Sequence, residues 1–216
     1  MSISLYDITV PSYLQTLAAT INVLQKGAEF CQQKAIDPQT LVETKLADDM
    51  LPLRFQVVSV AHHSIGAIEG LKKGTFGPPG SDQPQDYAGL QALLKNAEAG
   101  LRAVTPAEIN ALQGRDMAFE MRGFKIPFLA ETFAMSFSLP NFYFHAATTY
   151  DILRMKGILD VRGRNERLVF QAVHMVMEGD FQRPWKDDER RFSRIVFIGR
   201  NLDAAELERG FAACVA

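Results

Sequence analysis

The sequence predicts a mainly α-helical protein, a four-helix bundle over residues 1–154 with a small α+β appendage of three strands and a helix over residues 155–216. Three observations carry this. Up to Arg154, apolar residues recur at spacings of three and four in four long segments, the period of an amphipathic helix. At about Met155 the pattern changes to short runs rich in β-branched and aromatic residues, which suit strands. Finally, 216 residues with 47% hydrophobic and 22% charged side chains form a chain long enough to bury a core without staples.

The elements follow in order. Leu14, Leu17, Ile21, Leu24, Ala28 and Cys31 make one stripe, which predicts a helix over 11–34 with Pro11 in its first turn, where a missing N–H costs nothing. Asp37-Pro38 breaks it. Val57, Val58, Ala61, Ile65, Ile68 and Leu71 predict a second helix over 51–73, with Lys72 and Lys73 near its C-terminal carbonyls and Gly74 as its cap. The stretch TFGPPGSDQPQD is loop. Asp86 caps a third helix over 87–103, and Thr105-Pro106-Ala107-Glu108 opens a short one to about Leu112. Residues 117–121 and 124–128 flank Arg122-Gly123 as a hairpin. The fourth long helix spans 139–154, and Pro140 either starts it or kinks a turn begun near Glu131. In the tail, 155–161, 167–178 and 193–199 read as strands and Asp203 starts a helix.

Composition excludes several classes. Twenty-three basic and 25 acidic residues leave a net charge of −2, so no nucleic-acid footprint is present. No apolar run reaches the roughly 20 residues of a membrane span. The N-terminus MSISLYDITVPSYLQ lacks the basic and apolar regions of a secretory signal. Cys31 and Cys214 stand alone, as reduced thiols do. A cytoplasmic location is therefore expected.

Two family resemblances abut. The segments VVSVAHHSIGAIEGLKKGTFGPPG, TPAEINALQGRDMAFEM and SFSLPNFYFHAATTYDILR make residues 1–154 resemble an uncharacterised branch of the DinB-like four-helix-bundle superfamily. RLVFQAVHMVMEG, RPW and SRIVFIGRNLDAAELERGF make residues 155–216 resemble the C-terminal end of CobW-type GTP-dependent metallochaperones. ILRMKGIL reads as an ending of the first and a beginning of the second, which points to a fusion near Ile152–Met155. The nucleotide chemistry of the second family does not carry over. No GxxxxGK[ST] phosphate loop occurs, and the cysteine-rich metal motif of those GTPase domains is missing.

The DinB resemblance implies a divalent metal, zinc or nickel, held by one histidine from helix two and a pair four residues apart on helix four. Neutral imidazole suits such ions, and residues at i and i+4 share a helix face. Here His145 is present, but Thr149 stands where its partner would be. His63 or His62 could supply the helix-two ligand, although neighbours on a helix diverge by about 100°. His174 lies in the tail. The candidate metal ligands are thus His63, His145 and His62, against the simpler reading that they are buried and hydrogen-bonded.

No other chemistry stands out. Asp48, Asp49, Glu69 and Asp151 form no acid–base pair, and no G-x-S-x-G elbow surrounds Ser136 or Ser138. Phe133, Phe137, Phe142, Tyr143 and Phe144 read as core, or as a partly exposed dimer face. Trp185 is expected to pack under the charged loop KDDERR. The tail's unpaired strand edge favours a homodimer. Two functions stay open: a bundle with a degenerate metal site, and a non-enzymatic dimeric interaction protein with structural histidines. A metallochaperone-type docking role for the tail is the weakest third.

Overall fold

The computed structural model describes residues 3–47 and 49–153, and in the tail residues 155–160, 164–173, 176–186, 188, 190–191, 194–195 and 209. Helix α1 spans Leu5–Gln33 and contains Pro11 in its interior rather than in its first turn. Its true start is a capping box. Ser4 Oγ accepts the Asp7 amide N–H, and the Asp7 carboxylate accepts the Ser4 amide.

The second long rod is interrupted but continuous: α2 (Leu53–Ala61), a π-helical turn (His62–Gly66) and α3 (Ala67–Lys73). Gly74 ends it at φ 77°, a left-handed conformation that glycine adopts without strain. Helix α4 (Tyr87–Arg102) starts where Asp86 accepts the Gly89 N–H, and α5 (Pro106–Asn110) starts at Thr105. The fourth rod is α6 (Ala130–Phe133), a second π-helical turn (Ala134–Ser138) and α7 (Leu139–Leu153). Pro140 therefore lies within a rod that begins near Glu131. The π-turn falls where a proline ring would collide with the carbonyl four residues back, that of Ser136, and widens the backbone there.

Helix α1 packs against α4 and α7, and α2 packs against the same two, so α1 and α2 sit on opposite corners of a four-helix bundle. The core runs through all four rods, with Tyr13, Leu17, Leu24, Leu53, Leu94 and Phe142 among its fully buried members. Where α1 meets α4 the backbones come close. The Tyr87 hydroxyl donates to the Leu24 carbonyl at 2.8 Å, directly over Gly27.

Strands β1 (Thr75–Phe76), β2 (Asp116–Met121) and β3 (Phe124–Leu129) form a small sheet in that order. The β2–β3 hairpin turns on Arg122 (φ 49°) and Gly123 (φ 81°), the two positive φ values of a tight hairpin turn. The pairing of β1 with β2 is parallel, Thr75 opposite Ala118 and Phe76 opposite Phe119.

The tail carries β4 (Met155–Asp160), β5 (Glu166–Val173), β6 (Val176–Pro184) and β7 (Arg194–Ile195), in the order β6-β5-β4-β7 with every pairing antiparallel. The run read as one strand over 167–178 is folded back on itself, with Val173 opposite Val176. No glycine or proline marks that reversal in the sequence. Trp185 is buried, and the Arg191 guanidinium lies 5.9 Å over its ring. His174, Cys214, Asp48 and the helix expected from Asp203 lie outside the described residues. Among the described residues, no helix is long and apolar enough to cross a membrane.

Candidate functional site

The two π-turns meet where Ser138 and Phe137 of the second reach His63 of the first. In the first turn, the Ser64 hydroxyl donates to the carbonyls of Val60 and Ala61 rather than to solvent. Those side-chain bonds compete with the helical ladder and accompany the widened turn. Across the gap, Ser138 Oγ donates to the His63 carbonyl at 2.7 Å. Its proton is therefore committed, so the Tyr13 hydroxyl, 2.7 Å away, donates to Ser138 in turn. Tyr13 and Ser138 are fully buried, and burial pushes the Tyr13 phenol well above its ordinary range. This Tyr13–Ser138–His63 chain pins α1 and the two π-turns together.

The His63 ring lies 5.9 Å from the His145 ring with planes 21° apart. Phe76 and Phe137 pack at 5.4 and 5.9 Å from His63. His63 Nδ1 is buried without a hydrogen-bond partner. Burial first, then the neighbouring His62 and His145, lowers its pKa to about 3. Burial lowers that of His145 to about 4. Both imidazoles are thus neutral at physiological pH.

His145 has a defined tautomer. Gln56 donates its Nε2 to the Leu51 carbonyl at 2.8 Å, so its Oε1 faces His145 Nδ1 at 2.7 Å as an acceptor. Nδ1 must carry the proton, which leaves the Nε2 lone pair unprotonated. A histidine oriented in this way by a carbonyl is the arrangement seen behind metal-bound imidazoles. His62 is held differently. Its Nε2 donates to the Gly77 carbonyl at 2.6 Å and its ring stacks on Phe76 at 4.4 Å. Its Nδ1 lies against the backbone at Gly66, where an added Cβ would come within 3.1 Å. Burial lowers its pKa as well.

Thr149, at the position of the missing second histidine, is fully buried, and its hydroxyl donates to the His145 carbonyl at 2.9 Å. Among the described residues, no group of three histidine, cysteine or acidic side chains could enclose an ion. Cys31 is buried in the core, and burial raises its pKa, so it is a poor nucleophile. Ser136 bonds back to the Thr132 carbonyl on the surface. The aromatic run divides, with Phe133 and Phe142 buried and Tyr143 and Phe144 exposed.

Sequence reasoning singled out the histidines but missed Gln56, Tyr13 and the role of Ser138.

Comparisons with known proteins divide along the chain. The C-terminal domain of the cobalamin synthesis protein cobW matches residues 127–215. The zinc chaperone YjiA of Escherichia coli (strain K12) is 43% identical over 61 residues, 28% of this chain and 19% of that protein. The zinc chaperone CobW of Pseudomonas aeruginosa is 41% identical over 58 residues, 27% of this chain and 16% of that protein. The chain thus spans under a fifth of the length of these curated relatives. The crystal structure of a DinB family member from Shewanella denitrificans superposes with a TM-score of 0.56 at 24% identity, covering 69% of this chain and 84% of that one. That likeness establishes the DinB-like helical bundle. The family model described as a domain of unknown function, DUF1993, matches residues 5–159, and the chain belongs to that family.

Proposed function

We propose that the bundle binds a divalent transition-metal ion between His63 and His145, with water completing the coordination. The observation that carries this is the Gln56–His145 bond, which leaves the His145 Nε2 lone pair unprotonated on a ring 5.9 Å from that of His63, whose own Nδ1 is buried and unpartnered. Both rings are neutral, the form a metal requires. The residues fit a two-imidazole site and not the three-ligand set usual for catalytic zinc, because Thr149 is engaged and His62 is tied to Gly77. The site is accordingly weak. When bound, such an ion would act as a Lewis acid toward an oxygen or sulfur ligand. The protein's own part is to hold His145 in one tautomer through Gln56 and to hold the His63 backbone through Ser138. Zinc is favoured over nickel because the tail's relatives are named zinc chaperones.

Metal analysis of untagged protein, repeated on His145→Ala and His63→Ala, tests this. Substoichiometric zinc that both variants lose supports the reading. Metal retained by both variants, or none taken up by the wild type in a zinc titration, sinks it.

The second reading is a non-enzymatic interaction protein that dimerises. Exposed Tyr143 and Phe144 on α7, with His145 and His62 hydrogen-bonded inside the chain, favour it. Sedimentation of the full chain, with and without Tyr143→Lys, decides whether that face is covered by a second copy.

A further inference from the structure

Beside the histidine pair, a cleft of about 450 Å³ opens between the loop before α2, α2 itself and α7. This volume falls within the range of small-molecule sites. Phe55 and Phe144 supply flat walls, Gln56 and His145 lie between them, and Asp49 and Asp151 bring carboxylates. Among the described lining residues there is no lysine or arginine. Gln56 and His145 are bonded to each other and Asp49 is engaged within the chain, so the charge that the cleft offers a ligand is that of Asp151.

Asp151 is the informative one. It sits in the last turn of α7, where the carbonyl ends of the helix disfavour an anion. It is half-buried, and that burial raises its carboxyl pKa. No hydrogen bond or ion pair within the described chain compensates it. A bland surface carboxylate would turn to water. This one faces an aromatic-walled cleft of ligand size.

We propose that this cleft binds a small organic cation, an ammonium on an apolar body, with Asp151 as its counter-ion and Phe55 and Phe144 as its walls. Aromatic faces attract cations as well as apolar surface, and a carboxylate between them selects charge. This inference does not rest on a metal at His63 and His145.

The test is calorimetric titration of the full chain in EDTA with three probes of one shape: phenethylammonium, neutral 2-phenylethanol and anionic phenylacetate. The ammonium is expected to bind with one equivalent, about tenfold or more tighter than the alcohol, with the acid weakest. Asp151→Asn is expected to erase the preference for the ammonium and leave alcohol binding unchanged. Ser136→Ala, on the surface outside the cleft, is expected to change none of the three. Equal affinity for ammonium and alcohol in the unaltered protein overturns the proposal whatever the variant does. So does the absence of ammonium binding up to about 10 mM, where the affinity would be too weak to matter. An Asp151→Asn protein that keeps the full preference overturns the assignment of the counter-ion.

Discussion

The two π-helical turns lie in contact but arise from different chemistry. At Ala134–Ser138 the cause is covalent, because Pro140 lacks an N–H and its ring cannot sit over the Ser136 carbonyl in a regular helix. At His62–Gly66 there is no proline. A serine hydroxyl bonds back along the helix and a glycine gives room for the His62 ring. The first cause cannot relax and the second can. The His63 backbone therefore depends on a restraint from the other rod, the Ser138 hydroxyl.

The sharpest way to break this arrangement is Ser138→Ala. It strands the buried Tyr13 hydroxyl and removes a donor from the part-buried His63 carbonyl, so a loss of about 2–4 kcal/mol is expected in urea denaturation. Ser136→Ala, whose hydroxyl only bonds back to Thr132 on the surface, should stay within about 0.5 kcal/mol.

Pro140→Ala comes next. Alanine is the better helix former, but letting the turn revert would shift Ser138 off His63. A net loss of about 1–2 kcal/mol is expected, and a gain in stability would show that proline does not impose the turn.

The histidines give a pH-dependent effect. His63 and His145 have folded pKa values of about 3 and about 4, below the unfolded value of 6.5. Below pH 6.5 the unfolded chain takes up protons that the folded chain does not, so stability is full above that pH and falls on acidification. His63 alone should contribute a slope of about 1 kcal/mol per pH unit, continuing down toward its folded pKa. Denaturation curves between pH 7 and 4.5 measure it, and His63→Phe should flatten them.

Much of this was legible in advance. The spacing of Leu17, Leu24 and Cys31 marks the buried face of α1, with Leu14, Ile21 and Ala28 partly buried along its edge, and the cap residues Asp86, Thr105 and Gly74 stand at the expected ends. Pro11 misled because a proline also fits a first turn, and the Ser4–Asp7 box upstream outweighs it. The π-turns were invisible because hydrophobic periodicity cannot register one extra residue per turn. The same limit affected the site. Adjacent side chains on a regular helix diverge, yet the His62 and His63 rings stand 5.7 Å apart, both against Phe76. Gln56 was hidden for another reason, since a tautomer is set by three-dimensional bonding and has no sequence pattern.

Gly27 and Tyr87 form a pair whose fates are joined. A Cβ at position 27 would sit 2.6 Å from the Tyr87 hydroxyl, closer than contact allows. Removing that hydroxyl makes room but takes the donor from the Leu24 carbonyl. Gly27→Ala and Tyr87→Phe are each harmful alone, and together they cost less than their sum, because the alanine's helix preference, about 0.5–1 kcal/mol over glycine, is realised only once the hydroxyl is gone. This is epistasis built from a single oxygen atom. It closes the direct evolutionary route from glycine to alanine at this crossing and leaves open only the path that changes the tyrosine first.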